Sequence, residues 1–246
     1  MDARCVAVGI VASMTWLVTD AVAEEPEPAA ARKIIDRAIE AAGGREVLKR
    51  YEKPFYMKRQ GKALGGTGWE DFTIKVTTWL PDKLRTDQEL TRHGKKTPFG
   101  IRFNGEKGFH VPGTREMDAS ALRNMRELLY SQWLATLLPL DDPQFKLTAL
   151  DEIMLDGRPA VGVNISCEDR PAVRLYFDKE AMTLVKHSRE FNGRLFEETY
   201  DDFAELDGLV YPKRIVQYAN GKKFVEMSTA EFKFLDEVDE AIFEQP

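Results

Sequence analysis

Three histidines and one mid-chain cysteine are the first residues of this sequence to consider for chemistry. His93, His110 and His187 each stand alone, so none of them forms the HExxH or HxH spacing typical of zinc sites. Cys167 ends an alternating apolar run over residues 161–167, and no His or Asn is placed to suggest a catalytic pair. The pattern predicts surface histidines, a small buried thiol, no metal site and no cofactor.

A second group that could do chemistry is a set of acidic residues within residues 197–207. Two facing carboxylates can act as general acid and general base. A charge-rich hairpin is, however, the usual way to keep the edge of a sheet solvated. We therefore predict a solvated edge and a protein that is not an enzyme, with a cofactor-free enzyme as an alternative. The acids are Glu197, Glu198, Asp201, Asp202, Glu205 and Asp207.

Phosphate loops and nucleic-acid sites are poorly supported. No Walker A, GxGxxG or GxSxG motif is present, and the Gly65-Gly66-Thr67-Gly68 stretch precedes a strand rather than a helix. The 246 residues carry a formal net charge of −6, which is the wrong sign for binding a phosphate backbone.

The first 23 residues have the features of a secretory signal peptide. Arg4 precedes an apolar stretch over residues 5–18, and Ala21-Val22-Ala23 gives a small-x-small cleavage pattern. Residues 24–28 form a short Pro/Glu linker, and residues 29–246 form one domain. This predicts a periplasmic or secreted protein, with an uncleaved N-terminal anchor as the alternative.

Two helices must help to position whatever site the domain carries. Residues 29–42 are rich in helix formers, and Gly43-Gly44 can cap the helix end. Residues 118–138 form the second helix, which Pro139 ends. Its bulky apolar residues extend beyond one stripe, which predicts apolar contacts on more than one side. The stripe consists of Leu122, Met125, Leu129, Trp133 and Leu137.

The rest of the chain has the alternating pattern of antiparallel strands. Phe72, Ile74 and Val76 point to one side of the stretch 71–79. Asn104-Gly105 predicts a hairpin, and further turn pairs recur from residue 156 onwards. The fold class is therefore mainly β (α+β), with a curved antiparallel sheet and helices on its concave face.

Two helices are sparse cover for so many strands, which predicts an apolar hollow between helix and sheet. Plain core packing is the alternative for each large apolar side chain. The predicted ligand-binding residues come from one strand and from the helix stripe. They are Phe72, Ile74, Val76, Trp79, Leu122, Met125, Leu129, Trp133 and Leu137.

Several loose motifs along the mature chain resemble one known group, the LolA/LolB-like lipoprotein carriers, a group that includes outer-membrane lipoprotein-sorting proteins. They cover turns and strand ends rather than catalytic groups. The motifs are Ala41-Ala42-Gly43-Gly44, Trp79-Leu80-Pro81-Asp82-Lys83-Leu84-Arg85, Tyr176-Phe177-Asp178-Lys179, Asp207-Gly208-Leu209-Val210-Tyr211-Pro212-Lys213 and Phe243-Glu244-Gln245-Pro246.

The resemblance implies an unclosed β-barrel with helices over a cavity for acyl chains, in a bacterial periplasm. This chain differs from the group at one position, because the best-known carriers have an arginine before the proline of the strand motif. This chain has Leu80 there, with Arg85 as the nearby cation, which puts the lipoprotein-handover mechanism in question more than the fold.

The sequence thus favours a monomeric carrier or sensor whose partner is a lipid or an acylated protein, with transient membrane contact. One alternative is a regulatory or structural envelope module that docks another envelope protein. The other is the cofactor-free enzyme, because a fold alone does not determine function.

Overall fold

A computed structural model describes residues 28–66, 68–92 and 94–244. The predicted signal peptide, most of the linker, Thr67, His93 and the last two residues of the closing motif lie outside this part. The helices are α1 (Pro28–Ala41), α2 (Arg45–Leu48) and α3 (Ala119–Ala135). The strands are β1 (Phe55–Gly65), β2 (Gly68–Trp79), β3 (Lys83–Arg92), β4 (Lys95–Phe103), β5 (Gly108–Val111), β6 (Arg115–Glu116), β7 (Lys146–Leu155), β8 (Arg158–Cys167), β9 (Arg170–Asp178), β10 (Leu184–Phe191), β11 (Arg194–Leu206), β12 (Leu209–Ala219) and β13 (Lys222–Phe234).

The strands form one antiparallel sheet in the order β6-β5-β4-β3-β2-β1-β13-β12-β11-β10-β9-β8-β7. Two meanders, β1 to β6 and β7 to β13, are joined where the first strand pairs with the last. β6 and β7 stay at opposite ends of the described sheet, so it is curved but not closed. The predicted fold class is confirmed.

Four tight turns in the second meander explain its regularity. Asp156-Gly157, Asn192-Gly193, Asp207-Gly208 and Asn220-Gly221 each have positive φ at both residues. Asn and Asp tolerate this conformation better than other side chains, and glycine adopts it freely. These pairs therefore fix where each strand ends, as the sequence predicted.

Helix α1 covers β7 and β8 with its buried stripe, which includes Ile35 and Ile39. It ends at a glycine because the β11–β12 turn comes very close. A Cβ at Gly43 would lie 2.1 Å from the carbonyl oxygen of Gly208, and the φ of Gly43 is 114°. The amide of Val210 also donates to the carbonyl of Ala42, at 3.2 Å. Two of the motifs behind the family resemblance therefore touch each other.

Helix α3 crosses the concave face from the β4–β5 turn to β9 and β10. Its first turn is capped by the Asp118 carboxylate, which accepts from the amide of Ala121 at 2.8 Å. Arg126 donates to the carbonyl of Gly105 at 2.9 Å. On the other side Arg170 pairs with Glu127 at 3.2 Å. The helix is thereby held at both sides of the sheet.

Three sequence predictions need correction. The second helix ends at Ala135 instead of residue 138, because Leu137 turns the chain with a φ of 64° before Pro139 is reached. Strand β1 was not predicted at all. The acidic stretch is not at an edge, because β11 lies between β10 and β12. Among the described residues, no helix has both the length and the apolar character needed to cross a membrane.

Candidate functional site

A hollow of about 340 Å³ lies between α3 and the half of the sheet formed by β1 to β3 and β11 to β13. This volume is at the lower end of the range found for small-molecule sites. Most of the sheet residues around it are apolar. These are Phe55, Met57, Ala63, Phe72, Ile74, Val76, Leu80, Leu84, Tyr211, Ile215, Val225, Met227 and Phe232.

The hollow exists because α3 presents its less bulky side to this half of the sheet. The helix contributes Leu128, Gln132 and Ala135 to the lining, and Thr136 follows directly after the helix end. Of these, only Leu128 is a large apolar side chain. The bulky stripe of the helix instead packs into the core on β9 and β10. The inward side chains of β1 to β3 therefore have little opposite them to fill the space.

A smaller hollow of about 80 Å³ adjoins the first one near the end of α1. The two hollows have several lining residues in common. The shared residues are Tyr51, Ala135, Thr136, Leu184 and Pro212. Burial raises the pKa of Tyr51 to about 12, so its hydroxyl remains neutral at physiological pH.

The structure brings some of the predicted ligand-binding residues together and separates others. Phe72, Ile74 and Val76 line the large hollow, and Leu137 lines the small one. The other four stripe residues of α3 pack in or against the main core and are in neither lining. They are Leu122, Met125, Leu129 and Trp133.

Trp79 has a different environment from the rest of its strand motif. It alternates with Thr78, which is buried and lines the hollow, so its indole lies on the other face of β2. The indole Nε1 donates to the carbonyl of Glu52 at 3.0 Å. The ammonium of Lys83 lies 4.5 Å from the ring centroid.

A chain of hydrogen bonds crosses the concave face from β10 to β12. The Tyr200 hydroxyl donates to Glu198 at 3.0 Å and lies 2.5 Å from Nδ1 of His187. The other carboxylate oxygen of Glu198 accepts from the Gln217 amide at 2.8 Å. Glu198, Tyr200 and Gln217 all line the large hollow. The apolar recess thus has a polar floor.

His187 corrects the prediction of surface histidines, because it is only 2% exposed. Burial lowers the pKa of its imidazole, and Glu198 opposes that effect in part. Burial and the neighbouring carboxylate together raise the pKa of Tyr200 well above its ordinary value. The ring and the phenol are therefore both neutral near pH 7.

Arg59 is the cation of the polar floor. Its side chain lines the hollow from β1, and one of its terminal nitrogens donates only to the sulfur of Met57, at 3.0 Å. Its Nε is shut off from solvent and has no hydrogen-bond partner. Burial lowers the pKa of the guanidinium, and Glu198 partly offsets this. No described carboxylate pairs with it directly.

The acidic residues of β11 divide between the two faces of the sheet. Glu198 faces the hollow, whereas Glu197 pairs with Lys186 at 2.6 Å and Asp201 with Arg214 at 2.6 Å. Strand alternation explains the division. Among residues 28–66, 68–92 and 94–244 there is no group of three or more His, Cys, Asp or Glu that could hold a metal ion.

The sequence prediction missed Arg59 because it missed β1. A weak signal is present, since Phe55, Met57 and Ala63 alternate with polar residues. Arg59 and Gly61 interrupt the apolar side of this alternation. The same signal would have placed the arginine on the inner face.

Solved bacterial proteins share this fold. A putative outer membrane lipoprotein-sorting protein domain from Vibrio parahaemolyticus aligns over 89% of this chain and 97% of its own, with TM-score 0.54 and 12% identity. A LolA superfamily protein from Nitrosomonas europaea aligns over 86% of this chain and 96% of its own, with TM-score 0.55 and 15% identity. A DUF1329 family protein from Desulfovibrio piger aligns over 90% of this chain and 98% of its own, with TM-score 0.52 and 10% identity.

The likeness shows that this chain has the LolA-like fold, as the sequence motifs suggested. At these identities it does not carry over an activity or a ligand. No protein-family model matches the sequence, and a comparison with curated proteins gives no match.

Proposed function

We propose that the protein is an exported carrier or sensor that holds an acyl chain in the large hollow. The observation that supports this most strongly is the hollow itself, about 340 Å³ of mostly apolar space. Removing apolar surface of this extent from water is favourable, so a guest that covers it would be bound. The fold shared with a lipoprotein-sorting domain is consistent with this role.

The size of the hollow favours one chain over several. A methylene group takes up about as much space as a water molecule in the liquid, roughly 30 Å³, so the hollow accommodates on the order of ten methylenes. Each buried methylene contributes about 0.8 kcal/mol, so ten contribute about 8 kcal/mol, which corresponds to micromolar binding before the cost of association is subtracted. A multiply acylated lipoprotein would insert one chain and leave the others outside.

The role in the envelope depends on export. Cleavage after Ala23 would give a mature chain that starts at Glu24. Mass spectrometry of the protein from a periplasmic extract measures this directly. A full-length mass in the membrane fraction would instead indicate a protein anchored to the membrane.

Binding is tested with phenylnaphthylamine, a neutral apolar dye that fluoresces when it is shielded from water. The expected result is saturable binding that a neutral monoacylglycerol displaces. Ile74→Asn replaces apolar surface of the lining with a neutral amide that must be desolvated when the dye binds, so affinity should fall about tenfold.

Thr73→Asn is the matched control, because Thr73 is the exposed neighbour on the opposite face of β2. Its affinity for the dye should equal that of the unaltered protein. Equal binding by both variants, or no dye uptake at all, would refute the proposal. Native mass spectrometry of protein from its own envelope should also show a bound lipid.

A further inference from the structure

The polar floor of the hollow contains a carboxylate whose oxygens both have hydrogen-bond partners and a guanidinium that has no such full set of partners. Both oxygens of Glu198 accept hydrogen bonds, from Tyr200 and from Gln217. Arg59 lies in the same lining with a buried Nε that has no partner. A buried donor without an acceptor is costly, and the cost is greater for a charged group. The guanidinium of Arg59 therefore lacks a negatively charged hydrogen-bond acceptor.

A second unpartnered donor lies directly across from the first. Arg59 on β1 is paired in register with Thr229 on β13. The hydroxyl oxygen of Thr229 is buried and has no hydrogen-bond partner among the described residues. Residues directly opposite each other in an antiparallel pair have Cβ atoms about 5 Å apart and point to the same face. Thr229 lies outside the lining of the hollow, so Arg59 is the member of this pair that a guest in the hollow can contact.

Apolar side chains surround this pair along the strands. Ile74 is paired with Arg59 on the other side of β1, and Phe72 and Val76 follow on the same face of β2. Met57 and Ala63 continue the lining along β1. A ligand that places an anion at Arg59 would lay an apolar tail against these side chains.

We propose that the hollow selects single-chain amphiphiles with an anionic end, a carboxylate or a phosphate, and that Arg59 binds that end. This inference rests on the proposed function, because it assigns polarity to the guest of the same hollow. The carboxylate of Glu198 stays with Tyr200 and Gln217, so it offers no free acceptor to a cationic end.

The test compares ligands with one tail and different ends. The four competitors are lauric acid, lauryl phosphate, lauryl alcohol and lauryl trimethylammonium. Each is titrated into the full mature chain with phenylnaphthylamine bound, at a pH where the acid is ionised, and the displacement of the dye is measured. Charge-assisted hydrogen bonds should make both anions about tenfold to a hundredfold better competitors than the alcohol. The cation should be no better than the alcohol.

Arg59→Gln should reduce the preference for the anions to less than about threefold and leave the alcohol unchanged. Lys58→Gln is the matched control, because Lys58 is exposed on the other face of β1, and it should retain the full preference. If circular dichroism shows that Arg59→Gln does not fold, Arg59→Met keeps a long side chain without the charge and should reduce the preference to the same extent.

The results separate this inference from the function on which it rests. Equal displacement by all four ligands in the unaltered protein would overturn the anion site and leave acyl-chain binding intact. A preference for the anions that survives in a folded Arg59→Gln or Arg59→Met variant, or a preference for the cation, would overturn it too. If no ligand displaces the dye, or the dye does not bind, the proposed function itself fails.

Discussion

The two halves of the sheet face different environments on their inner side. Around β7 to β10, helices α1 and α3 pack against the strands, and Val163, Leu175 and Phe177 have no exposed surface. Around β1 to β3 and β11 to β13, the inner side chains border a hollow with a polar floor. The same alternating strand pattern produces both halves. The difference is made by the helix side chains opposite the strands.

This contrast shows that a strand pattern alone does not distinguish core from binding surface. In both halves most inward positions are apolar, although Arg59 and Gly61 interrupt this pattern on β1, so most strands of either half would be described as core from their sequence. Close packing requires partner atoms on both sides of a side chain. The covered half has those partners, whereas the open half lacks them.

The largest expected effect comes from truncating the same residue type in each half. Leu175→Ala should lower the free energy of unfolding by about 3–5 kcal/mol, because the cavity it leaves is surrounded by fixed atoms. Leu84→Ala should cost only about 1–2 kcal/mol, since Leu84 already borders empty space. Urea unfolding followed by tryptophan fluorescence measures both. Equal losses would mean that the two halves are packed alike.

Enlarging a side chain should also destabilise the covered half more than the open half. Val163→Phe has no space for the ring and should cost about 1–3 kcal/mol. Val76→Phe directs its ring into the hollow, so stability should stay within about 1 kcal/mol while uptake of phenylnaphthylamine falls. Thermal unfolding and dye titration report the two effects. A large loss of stability in Val76→Phe would count against the hollow.

The smallest effect is a pH dependence at the polar floor between the halves. Burial lowers the pKa of His187 in the folded state, so the unfolded chain takes up this proton first as pH falls. The contribution of the neutral ring is complete above about pH 6.5 and is lost as pH drops towards the folded-state pKa. The slope is at most about 1.4 kcal/mol per pH unit.

His187→Gln should remove this component of the slope. Urea unfolding of both proteins at several pH values below neutrality provides the measurement. The same slope in the variant would show that other groups cause the pH dependence.

Much of the fold followed from the sequence, because its signals are local. Asx-Gly pairs fixed the hairpins, the Asp118 cap fixed the start of α3, and Gly43 ended the first helix segment. β1 was missed because Arg59 and Gly61 interrupt its apolar side. Both residues occupy inward positions next to the hollow, where ordinary core composition does not apply.

The site was harder to predict than the fold because it depends on which way α3 faces. The stripe from Leu122 to Trp133 was predicted to face the ligand, but it packs in or against the main core. The hollow instead meets Leu128 and Gln132. A periodic pattern identifies an apolar face and does not say which neighbour that face contacts. Likewise, His187 became buried through a long-range contact with Tyr200.

The pairing of β1 with β13 governs when the hollow can form during synthesis. These strands lie at opposite ends of the described chain, and their ladder joins the two meanders. Contacts so distant in sequence carry a large loop-closure entropy and form slowly. The first meander emerges with its inner side open and stays so until residues 222–234 arrive. If the chain is exported, assembly of the hollow must wait until nearly all of it has crossed the membrane, so the recess first closes in the compartment where its guest is met.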